Sequence, residues 1–491
     1  MAVQSNNVQL RAYPESAIGT PTTVSVILEP NAGPDFGNEN SLVARDPISK
    51  NRMELEGAIV DRDSKFSAEF DTTMEHVQFL APRFFLADYN GPSLRTDGEP
   101  YYPTAVDSTD YVVPADGAVT AGRLIYARGF AVTGNNGLKV VAASSTGTEI
   151  KAAGLSAETC TQPAQNATVE ICGVQGATGD LEIDASGDLI SSVLDFTTIG
   201  LTVGQLLHIG GATGGALVFA TAANRGLVRA TSITANKIVF DKATTTFAVD
   251  DGATKTIQLF FGRFLRSVAV DNADFNRHSI SAELEWPELD GGTKYEVSEG
   301  LVGDEIKFNF PSAAKATMNC SWVGTDTLDI SASQLSGGST ARIVRQDALF
   351  NDSSQMIRVR ATQYDETGLT TYFKNATISI KNNVSALKVL GSLGAIDINY
   401  GTLMVGVEAQ AVFTDPDVLT VINDSTVVTM EIAMRNADGG FVIDLPSVQF
   451  GGGKRDMPKN EEVLVNLAGK AVKDNTLGYA ASISLFPWLP A

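Results

Sequence analysis

Histidine, cysteine and tryptophan are scarce in this 491-residue chain, with three of each. The histidines, His76, His208 and His278, fall far apart and in different predicted units, so they form no catalytic or metal-binding constellation. His76 reads as a helix residue. His208 ends an apolar strand run and reads as a packing residue. The cysteines, Cys160, Cys172 and Cys320, lack metal-ligand spacing, and their odd number argues against a disulfide framework. Cys172 and Cys320 sit in alternating strands and read as small buried apolar residues. There is no Gly-x-Ser-x-Gly elbow, phosphate-binding loop, His-Glu-x-x-His or Cys-x-x-Cys. Asp61-Arg62-Asp63 and the Asp415/Asp417 pair fit turns and caps better than acid–base pairs. A cation at the Asp-rich link near Asp180, Asp184 and Asp188 has only its acidity to recommend it. No catalytic, cofactor-binding or metal-ligating residue is expected, no cofactor, and no enzyme.

Long apolar runs are missing too. No stretch of 18 or more apolar residues exists, and Met1-Ala2-Val3-Gln4-Ser5-Asn6 has neither a basic region nor an apolar core. The expectation is a chain without a membrane partner, made in the cytoplasm and kept there until it assembles. Basic residues are outnumbered, 36 against 57 acids, for a net charge of −21. Phosphate binding needs clustered Lys and Arg, so a nucleic-acid binder is not expected, although an acidic wall could serve as a conduit for one. Helical periodicity is rare. What is abundant is glycine, 45 residues, among short alternating apolar runs, which favours an all-β chain long enough for three or four domains.

One set of β elements occurs twice. Ala282-Glu283-Leu284-Glu285-Trp286 leads into Asp290-Gly291-Gly292 and Tyr295-Glu296-Val297. Met430-Glu431-Ile432-Ala433-Met434 leads into Asp438-Gly439-Gly440 and Ile443-Asp444-Leu445, 148 residues later. Each predicts a hairpin, because Asp and Gly accept the positive φ of a tight turn. Before each hairpin stands a strand ending in Phe and then a helix start. In the first, Phe66–Phe70 precedes Thr72 and Glu75 at capping-box spacing, with Phe70, Met74 and Val77 on one face. In the second, Ala409–Phe413 precedes Asp415 as N-cap and Pro416 at the first helical position. After each hairpin, Met318, Cys320, Trp322 and Gly324 match Val463, Val465, Leu467 and Gly469. Three elements in register indicate duplication and favour assembly over catalysis.

The copies differ by an insertion from about Pro82 to Ser279, which holds a smaller repeat. Gly122-Arg123-Leu124-Ile125-Tyr126 matches Gly204-Gln205-Leu206-Leu207-His208, and Asn135-Asn136-Gly137-Leu138 matches Asn224-Arg225-Gly226-Leu227. Short strands between Gly, Ser, Thr and Asn suggest small β-barrel or immunoglobulin-like modules. The expected domains are 1–110 with 265–370, a discontinuous first unit; 111–192, a first inserted module with its linker; 193–264, a second; and 371–491, the second duplicated unit. Between Tyr111 and Phe264 stand 12 acids and 10 bases, so nearly all the negative charge belongs to the duplicated units.

Asp195-Phe196-Thr197-Thr198 through Gly200-Leu201-Thr202-Val203-Gly204-Gln205, with Ala222–Gly226 and Ala235–Ile238, resembles the decorating region of major tail proteins of long, non-contractile-tailed, siphovirus-type bacteriophages. Tyr295–Leu301 running into Phe308-Asn309-Phe310-Pro311 and Ser321–Gly324, and Ile380–Ser385 followed by Leu393–Ile396, resemble the same family. The resemblance implies two tail-tube domains of β-sandwich or split-barrel fold, each with one short helix, plus the inserted modules. It implies inner sheets that join across subunits around a lumen, and rings that stack into a tube. A ring would hold three such chains with pseudo-sixfold symmetry, or six. The implied partners are other copies of the chain, the tape-measure protein and DNA in the lumen, and tail terminator and tail tip proteins. The implied location is the virion tail.

Two long segments, Asn31–Asn51 and Gly451–Asn460, read as extended loops, which in this family reach the neighbouring ring. Ser484–Ala491 is too apolar for a free tail and is expected to pack on its own domain. A surface adhesin or decoration protein, whose β modules bind host surface polymers, is the alternative. A capsid-shell protein is disfavoured by the lack of a long spine helix.

Overall fold

The computed structural model describes all residues except 1–6, 46–47, 49–52, 54, 92–99, 115–118, 143–144, 163–164, 212–213, 242–246, 336–339, 343–346, 352–353, 363–367, 371–372, 415–420 and 491. The body of the molecule is built from two runs of six strands. The first comprises β1 (Gln9–Ala17), β2 (Asp35–Arg45), β3 (Leu55–Asp71), helix α1 (Met74–Phe85), β4 (Ile280–Leu289), β5 (Gly292–Pro311) and β6 (Thr317–Gly324). The second comprises β7 (Met356–Thr362), β8 (Phe373–Lys381), β9 (Met404–Val412), β10 (Val427–Asn436), β11 (Gly439–Asp456) and β12 (Leu464–Ala471).

Both runs pair in the same order, every neighbour antiparallel. The first is β1-β4-β5-β6-β3-β2. The second is β7-β10-β11-β12-β9-β8. The two are then joined, because the C-terminal half of β5 pairs along its other edge with β8, from Glu305 opposite Lys381 to Pro311 opposite Asn375. Alternation places Met318, Cys320 and Trp322 of β6, and Val465 and Leu467 of β12, in one continuous apolar core. In the first run α1 seals that core. Phe66 stacks on Trp322 at 4.7 Å between ring centroids, and Phe84 of α1 lies 5.0 Å from the same indole.

Local chemistry sets the ends, with two differences from expectation. The side chain that caps α1 is Thr73, one residue after Thr72, and it accepts from His76 N at 3.2 Å. Met74, Val77, Leu80, Ala81, Phe84 and Phe85 face inward, so burial rather than the capping-box spacing fixes the first turn. In the second run residues 421–423 are helical, while Asp415, Pro416 and Asp417 lie outside the described residues. The first hairpin turns at Asp290 and Gly291, φ 51° and 79°, as their chemistry predicts. The second turns at Ala437 and Asp438, because Gly439 is already paired with Asn436. The cause is a bulge in β4 between Trp286 and Leu289, with Glu288 at φ 62°, which adds one residue before the first turn.

Both segments read as loops contain strand. Residues 35–45 pair with β3, and residues 451–456 continue β11 against β12. Neither has a buried face to impose apolar alternation, which is why the sequence there reads as loop.

The insertion leaves and re-enters the body at adjoining points. Asn90 and Phe264 bond to each other through their backbones, N to O, at 2.8 and 2.6 Å. Inside it, strand Arg123–Arg128 lies between Gly137–Val140 and Thr168–Gln175, and Leu206–Ile209 lies between Gly226–Thr234 and Gln258–Phe260. The two sets meet where Thr168–Gln175 pairs with Gln258–Phe260. Matching asparagines anchor them. Asn135 exchanges two hydrogen bonds with the backbone of Ser156 (2.8 and 2.9 Å), and Asn224 exchanges two with Ala248 (2.7 and 2.9 Å). One core gathers Tyr101, Val106, Tyr111 and Ile125; the other gathers Leu181, Ile183, Leu189, Phe196 and Phe219.

Candidate functional site

The groups that could carry chemistry are dispersed and already engaged. His76 lies on α1 with Nδ1 2.9 Å from the carbonyl of Asp71. His208 is in an inserted strand, where burial pushes its pKa down to about 4 and keeps the ring neutral. His278 Nε2 is 2.7 Å from Asp88. Asp61 and Asp63 both hold Lys388. In the acidic link, Asp180 accepts from Ser191, Ser192 and Val193, while Asp184 and Asp188 each lie 2.8 Å from Lys237. A lysine thus takes the place that a cation would need. All three cysteines are buried, and burial raises the Cys160 thiol to about 11. Among the described residues no group of three or more His, Cys, Asp or Glu is placed to hold a metal.

What the structure presents instead is strand edge. β5 and β11 hold the same position in their runs, and so do β2 and β8. The edge of β5 beyond β4 is covered by β8. The corresponding edge of β11, beyond β10 and through Gly451–Asp456, has no strand against it among the described residues, nor has the outer edge of β2. An uncovered edge exposes a row of backbone donors and acceptors that invites another strand.

The paired ends of β2 and β3 also project as an arm. Leu42 is 68% exposed, Val43 55%, Ile59 47% and Val60 54%. Leu42 and Ile59 are cross-strand partners, Val43 points to the opposite side, and Val60 is the extra residue of a bulge. Both faces of the arm are therefore apolar and bare, the signature of a surface that is covered in an assembly. The C-terminal segment is already covered. Strand Ser482–Phe486 pairs with β11 and with Phe264–Arg266, and Trp488 lies 4.7 Å from Phe260 of the insertion.

Sequence reasoning missed the charges that fasten the insertion to the body. Glu431 of β10 and Asp444 of β11 alternate as surface residues would, yet both are 0% exposed. Arg229, from the insertion, reaches over them, 3.2 Å from Asp444, 3.5 Å from Glu431 and 3.4 Å from Asp241. Arg358 of β7 also pairs with Glu431. Tyr479 donates to Gly204 O at 2.8 Å and to Asp444 at 3.3 Å. A second fastening centres on Arg128, which lies 3.2 Å from Glu170 and 3.7 Å from Asp347 and donates to the carbonyl of Asp438 at 3.1 Å. Glu283, at the position of Glu431 in the first run, is buried as well. It accepts from Tyr13 and the Leu335 amide, and burial raises its pKa.

Burial raises Asp444 to about 7, against the pull of Arg229. The unfolded carboxyl ionises near 4, so between about pH 4 and 7 the folded chain holds a proton that the unfolded chain does not. This group therefore adds stability at low pH that is lost as pH rises through about 7. The melting temperature should fall less steeply from about pH 5 to about pH 8 in Asp444→Asn than in the parent. Calorimetry at several pH values measures it, and parallel curves would remove Asp444 as the source.

A family model described as phage tail tube protein matches residues 5–471. No curated protein matches the chain.

Proposed function

The chain belongs to the phage tail tube protein family, a structural component of the virion tail, and from that premise we propose that it forms rings that stack into the tube. Each chain supplies two tube domains, 1–110 with 265–370 and 371–491, while 111–192 and 193–264 decorate the outside. Three chains complete a ring with pseudo-sixfold symmetry. The lumen is acidic and conducts DNA during ejection, since a wall rich in carboxylates does not retain phosphates. The tape-measure protein occupies the lumen before ejection, and terminator and tip proteins close the two ends.

The observation that carries this reading is the repeated strand order within one shared sheet. Two equivalent units joined side by side are a segment of a ring, and closure satisfies edges that an isolated chain leaves open. The insertion's near-neutral charge suits the outer position, away from the lumen.

Negative-stain electron microscopy of the purified chain at rising concentration tests the proposal. Rings or hollow tubes are expected, with threefold class averages. Persistent monomers at high concentration, in the presence of tail tip complex as initiator, would refute it.

A further inference from the structure

We propose that the edge of β11 at Gly452–Asp456 takes β2 of a second copy at Asp35–Glu39, antiparallel, with Gly453 opposite Asn38. The proposal rests on the ring reading above and specifies which edges meet. The chain contains its own template for this contact. Within one chain the fifth strand of the first run pairs with the second strand of the second run, β5 with β8. The complementary members, the fifth strand of the second run and the second strand of the first, are β11 and β2. Both of these edges are uncovered among the described residues.

The register follows by carrying the internal contact across. Ile306 of β5 stands opposite Cys320 of β6 and Ile380 of β8. Both runs place the same bulge in the fifth strand, with Gly303 opposite Trp322 and Glu305 opposite Ser321 in the first, and Phe450 opposite Gly469 and Gly452 opposite Ala468 in the second. That sets Ile306 over Gly453 and Cys320 over Leu467. Ile380 pairs with Val405. Cys320 pairs with Ala68 and Leu467 with Ala409, which sets Val405 over Ser64, and Ser64 pairs with Asn38. Asn38 is thus the counterpart of Ile380, and Gly453 that of Ile306.

The chemistry of the two contacts differs in the sense their histories require. The internal junction forms during folding and is apolar, with Ile306, Phe308, Ile378 and Ile380 all fully buried. The proposed junction stays in water until assembly and is polar. Lys454 and Arg455 lie on β11, while Asp35 and Glu39 lie on β2. Lys454 falls opposite Gly37 and diagonal to both Asp35 and Glu39, within reach of a cross-strand ion pair. Asp456 falls opposite Asp35, and Lys454 on the same face of β11 offsets that like-charge contact.

Disulfide trapping tests the register. Glu39→Cys with Gly452→Cys, and Asp35→Cys with Asp456→Cys, are the matched pairs; Asp35→Cys with Gly452→Cys is the shifted control. The native cysteines are buried and stay silent. Each protein is assembled under reduction, imaged, oxidised and run on a denaturing gel. A matched pair should give covalent multimers ending at the number of chains in a ring, and the control should not. Hydrogen exchange on the unaltered protein gives a second readout free of substitutions. The amides of 35–39 and 452–456 should exchange on the order of tenfold or more slowly in tubes than in monomers. Tubes without either cross-link or protection, or equal trapping by the control, would overturn this pairing and leave the ring reading standing. Absence of any ring or tube would overturn both.

Discussion

Arg229→Ala is expected to destabilise the folded chain by about 3–5 kcal/mol, the cost of breaking a buried ion pair by removing one partner. The substitution leaves Glu431 and Asp444, both fully buried, facing each other, with Arg358 on Glu431 as the nearest remaining cation. Asp444 then lies beside a second carboxylate and keeps the neutral hydroxyl of Tyr479, which donates to it at 3.3 Å. A melting curve should show a lower transition, and adding Glu431→Gln and Asp444→Asn should recover part of the loss by deleting the stranded charges. An unchanged transition would mean that the pocket admits water freely, and the fastening role would fail.

The second large effect concerns the arm. Replacing Leu42, Val43, Ile59 and Val60 together with serine should leave the melting temperature of the monomer nearly unchanged and abolish tubes. In the isolated chain these side chains are largely in water, so little burial is lost. If the arm is covered in the assembly, each contributes about 1.5–3 kcal/mol there. In the proposed rings, four such residues per chain would then decide whether rings stack. Sedimentation and imaging of the variant measure this, and normal tubes would show the arm to be idle.

Sequence reading succeeded where structure is local. The first hairpin is legible because its Asp290-Gly291 turn dictates its own chemistry, the second only to within one residue, and β6 and β12 because one wet face and one dry face impose alternation. The helix after β3 is legible from Phe70, Met74 and Val77, although the cap is Thr73. Three features were hidden for physical reasons. β1 pairs with β4 across more than 260 residues, Gln9 opposite Glu285, and no local signal encodes such a partner. The bulge at Glu288 shifts one turn against its twin, because a single extra residue leaves the pattern on either side intact. The arm and the end of β11 lack a core within the chain, so no buried face imprints alternation on their sequences. Glu431 and Asp444 mislead in the opposite sense, since carboxylates at alternate positions imply water, and only Arg229, some 200 residues distant, makes them an interior.

The backbone clasp between Asn90 and Phe264 makes the whole insertion exchangeable cargo. Its two ends leave the body side by side, and lengthening a closed loop costs free energy only logarithmically. A foreign binding domain whose termini lie close together could replace it and be displayed at every repeat along a filament. One adjustment would be needed, because the cargo carries Arg229 and Arg128 away with it. A stripped scaffold should carry Glu431→Gln and Asp444→Asn, so that it does not keep docking charges for a part it has lost.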